Sequence, residues 1–247
     1  MPVIYSSPSG ATDDGRIYKY GAPSWAGARD VTSGSVYLGS QYSTQFTWVS
    51  RFGTRGGGTG YSVYRSFMVF DTSGITSTVA SAELSIRGYS QNDGSVIAVK
   101  STAYGGDGGT ALAGGDFDAI SGWSAGSSLA GSATVYGAQI LTSSWSTSGW
   151  NDFTATSDLL TDMKNNDVVI ICFMDYTNDY LNSALTSNVT LNCGGYYAEY
   201  GGTSLDPHID YTLAATGYAN SVNGVASANI GKINGVATAN IGKVNGI

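Results

Sequence analysis

The sequence feature that most constrains this chain is a repeat. From Asn223 the eleven residues NGVASANIGKI are followed by NGVATANIGKV and then by NGI, the opening of a third copy. The two full copies differ only by Ser227 against Thr238 and Ile233 against Val244. A unit this short cannot bury its own apolar face, so such units gain stability by stacking on neighbours or on other chains. The apolar anchors are Val222, Val225, Ile230, Ile233, Val236, Ile241, Val244 and Ile247. The expectation is therefore a subunit of a larger assembly, a homotrimer in the simplest case, with residues 218–247 as its assembly or attachment tail.

In a helix these anchors would fall on one stripe, at a period suited to a right-handed supercoil. Against helix, each unit holds two Gly and two Asn, which cost roughly 0.6 to 1 kcal/mol apiece relative to Ala. Asn-Gly is also a strong turn dipeptide. The balance favours short extended segments punctuated by Asn-Gly turns and packed on partner chains. A flexible connector is the alternative, but a solvated linker has no need of Val and Ile at fixed spacing.

The rest of the chain reads as one all-β body. Gly contributes 35 of 247 residues and charged residues only 12%, with 17 Tyr, a balance expected of a β-rich, loop-rich, weakly charged surface. Such surfaces suit extracellular or virion proteins. All 18 acidic residues precede the tail, while two of the 11 Lys and Arg, Lys232 and Lys243, lie within it. The body is thus −9, which argues against a nucleic-acid partner. No stretch is long enough to cross a bilayer, and MPVIYSSPSG lacks the basic and apolar runs of a signal peptide. Export by lysis, as for virion components, is the expectation. Cys172 and Cys193 sit in apolar surroundings and read either as a disulfide between neighbouring strands or as two buried thiols.

In chain order, residues 1–30 are expected as an irregular lead-in with one strand near Arg16 to Tyr20, and residues 31–217 as the domain proper. Strands are expected at Ser35 to Leu38, Gln45 to Phe52, Tyr61 to Asp71, Val79 to Tyr89, Ser95 to Ala103 and Ala133 to Leu141. Trp145, Trp150 and Phe153 bracket a turn. Ser157 to Lys164 is the single helical candidate, capped by Ser157, with Leu159, Leu160 and Met163 on its apolar side. The uninterrupted apolar run Asp167 to Asp175 suits a central strand covered on both faces. Asn188 to Glu199 and Ile209 to Leu213 complete about ten strands at the spacing of an antiparallel two-sheet jelly-roll sandwich. Residues 104–131 form a long Gly/Asp/Ser loop, either functional or packed down by its own aromatics. The glycines of GTRGGGTG at residues 53–60 lack the Gly-Lys-Ser/Thr and helix of a phosphate loop.

The run YRSFMVFDTSGITSTVASAELSIRGY resembles a segment of carbohydrate-binding-module-like jelly rolls, including those named DNRLRE domains, at Arg65, Phe67, Phe70, Asp71, Ile75, Val79, Ala82 and Leu84. YYAEYGGTSLDPHIDYTL is similar to their closing pattern at Glu199, Tyr200, Gly202, Thr203, Asp206, Pro207 and Tyr211. The likeness covers roughly residues 30–213. The tail resembles the I-N-G-V-A repeats that close many phage structural proteins. Together these resemblances imply a structural or adhesive part of a particle, such as a tail fibre, head fibre or capsid decoration, with binding of host-surface polysaccharide.

Individual residues point to little chemistry. His208, the only histidine, lies where the last strand should begin and reads as a strand residue rather than part of a triad. Glu83 and Glu199 are the only Glu, and both fall on polar strand faces; Asp116 and Asp118 read as turn formers. The chain is therefore read as a non-enzyme. Sugar binding needs aromatic faces, for which Trp25, Trp123, Trp145, Trp150, Tyr104 and Tyr180 are the candidates, all in or beside loops. Asp175, Asn178, Asp179 and Asn182 form an oxygen-rich turn that could hold Ca²⁺ or be simply hydrated. The competing readings are a carbohydrate-binding module on a linker tail and a subunit of a non-viral extracellular filament.

Overall fold

The computed structural model describes residues 1–6, 13–39, 46–198, 204–214, 232–233 and 236–237. Two compact units divide the chain, Met1–Thr212 and Leu213–Ile247.

Among its described residues the first unit is all-β: twelve strands joined in one hydrogen-bonded network whose ladders are antiparallel. They are β1 (Val3–Tyr5), β2 (Gly15–Ala22), β3 (Ser35–Leu38), β4 (Thr47–Gly53), β5 (Thr59–Asp71), β6 (Val79–Asn92), β7 (Val96–Lys100), β8 (Val135–Ile140), β9 (Trp150–Thr154), β10 (Val168–Asp175), β11 (Val189–Gly195) and β12 (His208–Leu213). Strand β5 is the hub. Its first half pairs with β4, its second half with β10, and residues 61–67 with β2. The long strand β6 joins two parts of the network: residues 83–87 pair with β9, whereas Gly88, Ser90 and Gln91 pair with β11. Gly88 marks the changeover. A Cβ there would lie 1.7 Å from the Ser146 carbonyl, so the chain can cross over β6 only because this residue is glycine.

Strand β10 explains the depth of the core. Side chains alternate along a strand, and here both sides are apolar. Ile171 and Phe173 enter one cluster, with Met68, Phe70, Leu84, Ile86 and Phe153. Ile170, Cys172 and Met174 enter another, with Val49, Val63, Phe67 and Val99. Each fully buried side chain of this size contributes about 1.5 to 3 kcal/mol. The two cysteines are buried free thiols, Cys172 in the second cluster and Cys193 in the first. The disulfide alternative therefore falls, and burial raises both thiol pKa values far above the usual thiol range.

The long loop is packed down by its own aromatics. Tyr104, Leu112, Phe117, Ile120 and Leu129 close over the second cluster. The Tyr104 hydroxyl donates to the Phe67 carbonyl at 3.0 Å.

Among the described residues two α-helices interrupt the strands. α2 (Ser157–Asn165) buries Leu159 and Met163 as expected, but its cap is Thr156, whose side chain accepts from the Leu159 amide. α1 (Trp25–Arg29) follows Pro23 and is capped by Ser24. The expected lead-in thus supplies β2 and α1 to the body, and β9 occupies the stretch expected as a turn. In the second unit, β13 (Lys232–Ile233) pairs antiparallel with β14 (Val236–Ala237), Ile233 opposite Val236. The other anchors (Val222, Val225, Ile230, Ile241, Val244 and Ile247) lie outside the described residues.

Candidate functional site

One face of β3, β2, β5 and β4 carries aromatic side chains outside both cores. The sequence GRIYKYGA dictates this on β2. Ile17 turns into the second cluster, so Arg16, Tyr18 and Tyr20 share the opposite face. Register does the rest: Tyr18 stands opposite Tyr64 on β5, Tyr64 opposite Trp48 on β4, and Arg16 opposite Tyr37 on β3. Tyr18 stacks on Tyr64 with centroids 4.8 Å apart and planes 12° apart, and on Tyr37 at 5.0 Å and 17°. Trp48 continues the row, tilted, 5.7 Å from Tyr64.

These separations match the spacing between strands, about 4.8 Å. Near-parallel rings at that spacing stand upright on the sheet. Their faces cover one another, which leaves ring edges along the top of the row. The Arg16 guanidinium lies against the rings of Tyr37 and Tyr64, at 5.1 and 5.3 Å. Burial pushes the Tyr64 pKa up to about 12, partly opposed by Arg16, so its phenol remains a proton donor at neutral pH. A second row pairs Tyr20 with Phe52, 5.2 Å apart. Phe52 reaches across β5 because Gly60 is bare: a Cβ there would come within 2.6 Å of the Phe52 ring. Beside the rows runs a groove of about 720 Å³ lined by Tyr18, Tyr20, Tyr37, Tyr64, Ser35 and Lys19, among others. Each hydroxyl both donates and accepts, so the face suits a hydroxyl-rich ligand.

The glycan candidates read from the sequence do not form this face. Tyr104, Trp145 and Tyr180 are buried in the cores. Trp150 packs edge-on against His208, 4.5 Å away. His208 begins β12 as expected, its Nδ1 3.0 Å from the Asp206 carbonyl. Trp25 donates from Nε1 to Asn182 Oδ1 at 2.9 Å. Trp123 is packed against two arginines, Arg29 at 4.7 Å and Arg65 at 4.3 Å.

Those arginines belong to a buried knot that also takes up Asp179. Arg65 grips this carboxylate with two 2.7 Å hydrogen bonds, from Nε and Nη2, and donates to the Phe117 and Arg29 carbonyls at 2.7 and 3.0 Å. Arg29 donates to the Asp179 carbonyl at 2.7 Å, to Asp30 at 2.5 Å and to the Ser127 carbonyl at 2.9 Å. Both guanidiniums are fully buried. The knot ties α1, β5, the long loop and the π-helical turn at residues 176–180. The other Ca²⁺ candidates also have protein partners. Asp175 accepts from the Asn178 and Ser95 amides at 2.7 and 3.1 Å, and Asn178 Nδ2 donates to the Ser183 carbonyl at 2.6 Å. Among the described residues no group of three or more His, Cys, Asp or Glu is placed to hold a metal. None of their helices is long and apolar enough to cross a membrane.

Sequence reasoning passed over Arg16, Tyr18, Tyr20, Tyr37, Trp48, Phe52 and Tyr64. The signal was the alternation of Arg16, Tyr18 and Tyr20, which puts three non-core side chains on one face of a strand. No protein family matches the chain, and no curated protein matches it.

Proposed function

We propose that this protein is a structural and adhesive component of a phage-like virion, a fibre or capsid decoration whose antiparallel jelly-roll body binds surface glycans. Its C-terminal repeats join it to copies of itself and to the particle. The observation that carries the adhesive half is the outward row of Tyr37, Tyr18, Tyr64 and Trp48, set on the rigid sheet. Aromatic bodies with polar tips give large contact area at low entropic cost, and the buried knot beneath holds the sheet in shape. The assembly half rests on the repeated Val and Ile anchors, which have no reason to recur unless something covers them.

A two-part experiment on the full-length chain tests this. Light scattering should give a homotrimer that dissociates when Ile230→Asp and Ile241→Asp are combined. Retention on immobilised host-surface polysaccharide should persist in that variant, weakened only by loss of multivalency. A wild-type chain that is monomeric at all concentrations would end the assembly reading, and failure to retain on any polysaccharide would end the adhesive one.

A further inference from the structure

The shape of the aromatic face says more about its ligand than the reading above requires. A sugar that stacks on aromatic residues needs a free ring face, yet Tyr18 has Tyr37 on one side and Tyr64 on the other. What the row offers is a line of ring edges crossing four strands, with Tyr18 and Tyr20 hydroxyls at the groove. Three strand spacings give it a length of about 15 Å, enough to run alongside about three linked sugar rings. The groove beside it is lined by Tyr37, Tyr18 and Tyr64 of the row, and Ser35 adds a hydroxyl to its wall.

Charge bears on the ligand as well. The body carries 18 acidic residues, but among the described residues lining the groove none is acidic. An acidic chain therefore enters without the repulsion it would meet over the body at large.

We infer that this face is a cleft for a linear polysaccharide. It reads at least three consecutive sugars through hydroxyl and ring-edge contacts rather than by face stacking, and it admits acidic as well as neutral chains. The inference rests on the glycan-binding reading and names its site.

The test uses the full-length protein and calorimetric titration. The probes are oligomers of one to six units cut from whichever linear hexose or uronic-acid polymer the wild type retains. Affinity should be undetectable for one unit, rise at least tenfold between two and four, and then level off. Tyr18→Phe with Tyr20→Phe keeps both rings and removes two hydroxyls; it should weaken the tetramer at least tenfold without lowering Tm.

Three results would overturn the cleft: a single sugar binding as tightly as four, full affinity in the double Phe variant, or retention untouched by combining Tyr18→Ala with Phe52→Ala. In the last case the protein is still a glycan binder and only the site is misplaced. A wild type that retains no polymer removes the glycan reading itself, and the cleft with it.

Discussion

Replacing Arg65 by Ala should cost about 3 to 5 kcal/mol of stability, because it strands the fully buried Asp179 carboxylate. What remains nearby is Arg29 Nε, 3.4 Å from Asp179 Oδ1, a contact too long to replace a two-bond grip. The Phe117 and Arg29 carbonyls lose their donors in the same step. In a body of this size each kcal/mol moves Tm by roughly 2 to 4 °C, so a fall of about 6 to 20 °C is expected by calorimetry. Arg65→Lys should recover less than half of it, since an ammonium cannot present the planar fork that fits a carboxylate. Combining Arg65→Met with Asp179→Leu should cost less than the two single changes added together, because neither charge is then left alone. Fully additive losses would mean that the pair is not coupled. Trp123, whose ring lies 4.3 Å from the Arg65 guanidinium, should report loss of the knot through its fluorescence.

Stability should also depend on pH through Asp175, which is 2% exposed at the end of β10. Burial raises its pKa from 3.8 to about 6, against the pull of hydrogen bonds from Asn178 and Ser95 and helped by the charge of Asp179. The folded protein thus holds this proton more tightly than the unfolded chain does. The stabilisation is fully present below about pH 3.8 and is lost as pH rises through 6, a change of about 3 kcal/mol. Asp175→Asn cannot ionise. Its stability relative to wild type should therefore rise by about that amount between pH 4 and pH 7, measured by urea unfolding at each pH. A difference that stays constant across this range would show that the carboxyl titrates alike in both states.

The parts of this fold that local sequence could reveal were those in which one strand or helix carries its own pattern. The apolar run of β10, the alternation of Ala82, Leu84 and Ile86, and the spacing of Leu159 and Met163 each announced a buried face. β9 was hidden because Trp150, Asn151 and Asp152 look like turn residues until β6 supplies the partner that makes them a strand. α1 is five residues long, too short to show a helical period. The knot had no local signature at all, since Arg65 and Asp179 are 114 residues apart and meet only after the long loop folds down. Asp179 therefore read as an oxygen ligand in a polar turn, although its charge is already matched. The aromatic face lay between these extremes. Each strand showed its half of the pattern, but which rings would touch depended on pairing register, which one sequence does not reveal.

Strand β10 belongs to both apolar clusters at once, and β5 likewise sends Met68 and Phe70 one way, Phe67 and Val69 the other. Neither cluster can open while the other stays shut, so the body has no weak half to shed under load. Amides along these two strands should exchange with solvent only when the whole unit comes apart. Unfolding of this unit should therefore register as one transition rather than two.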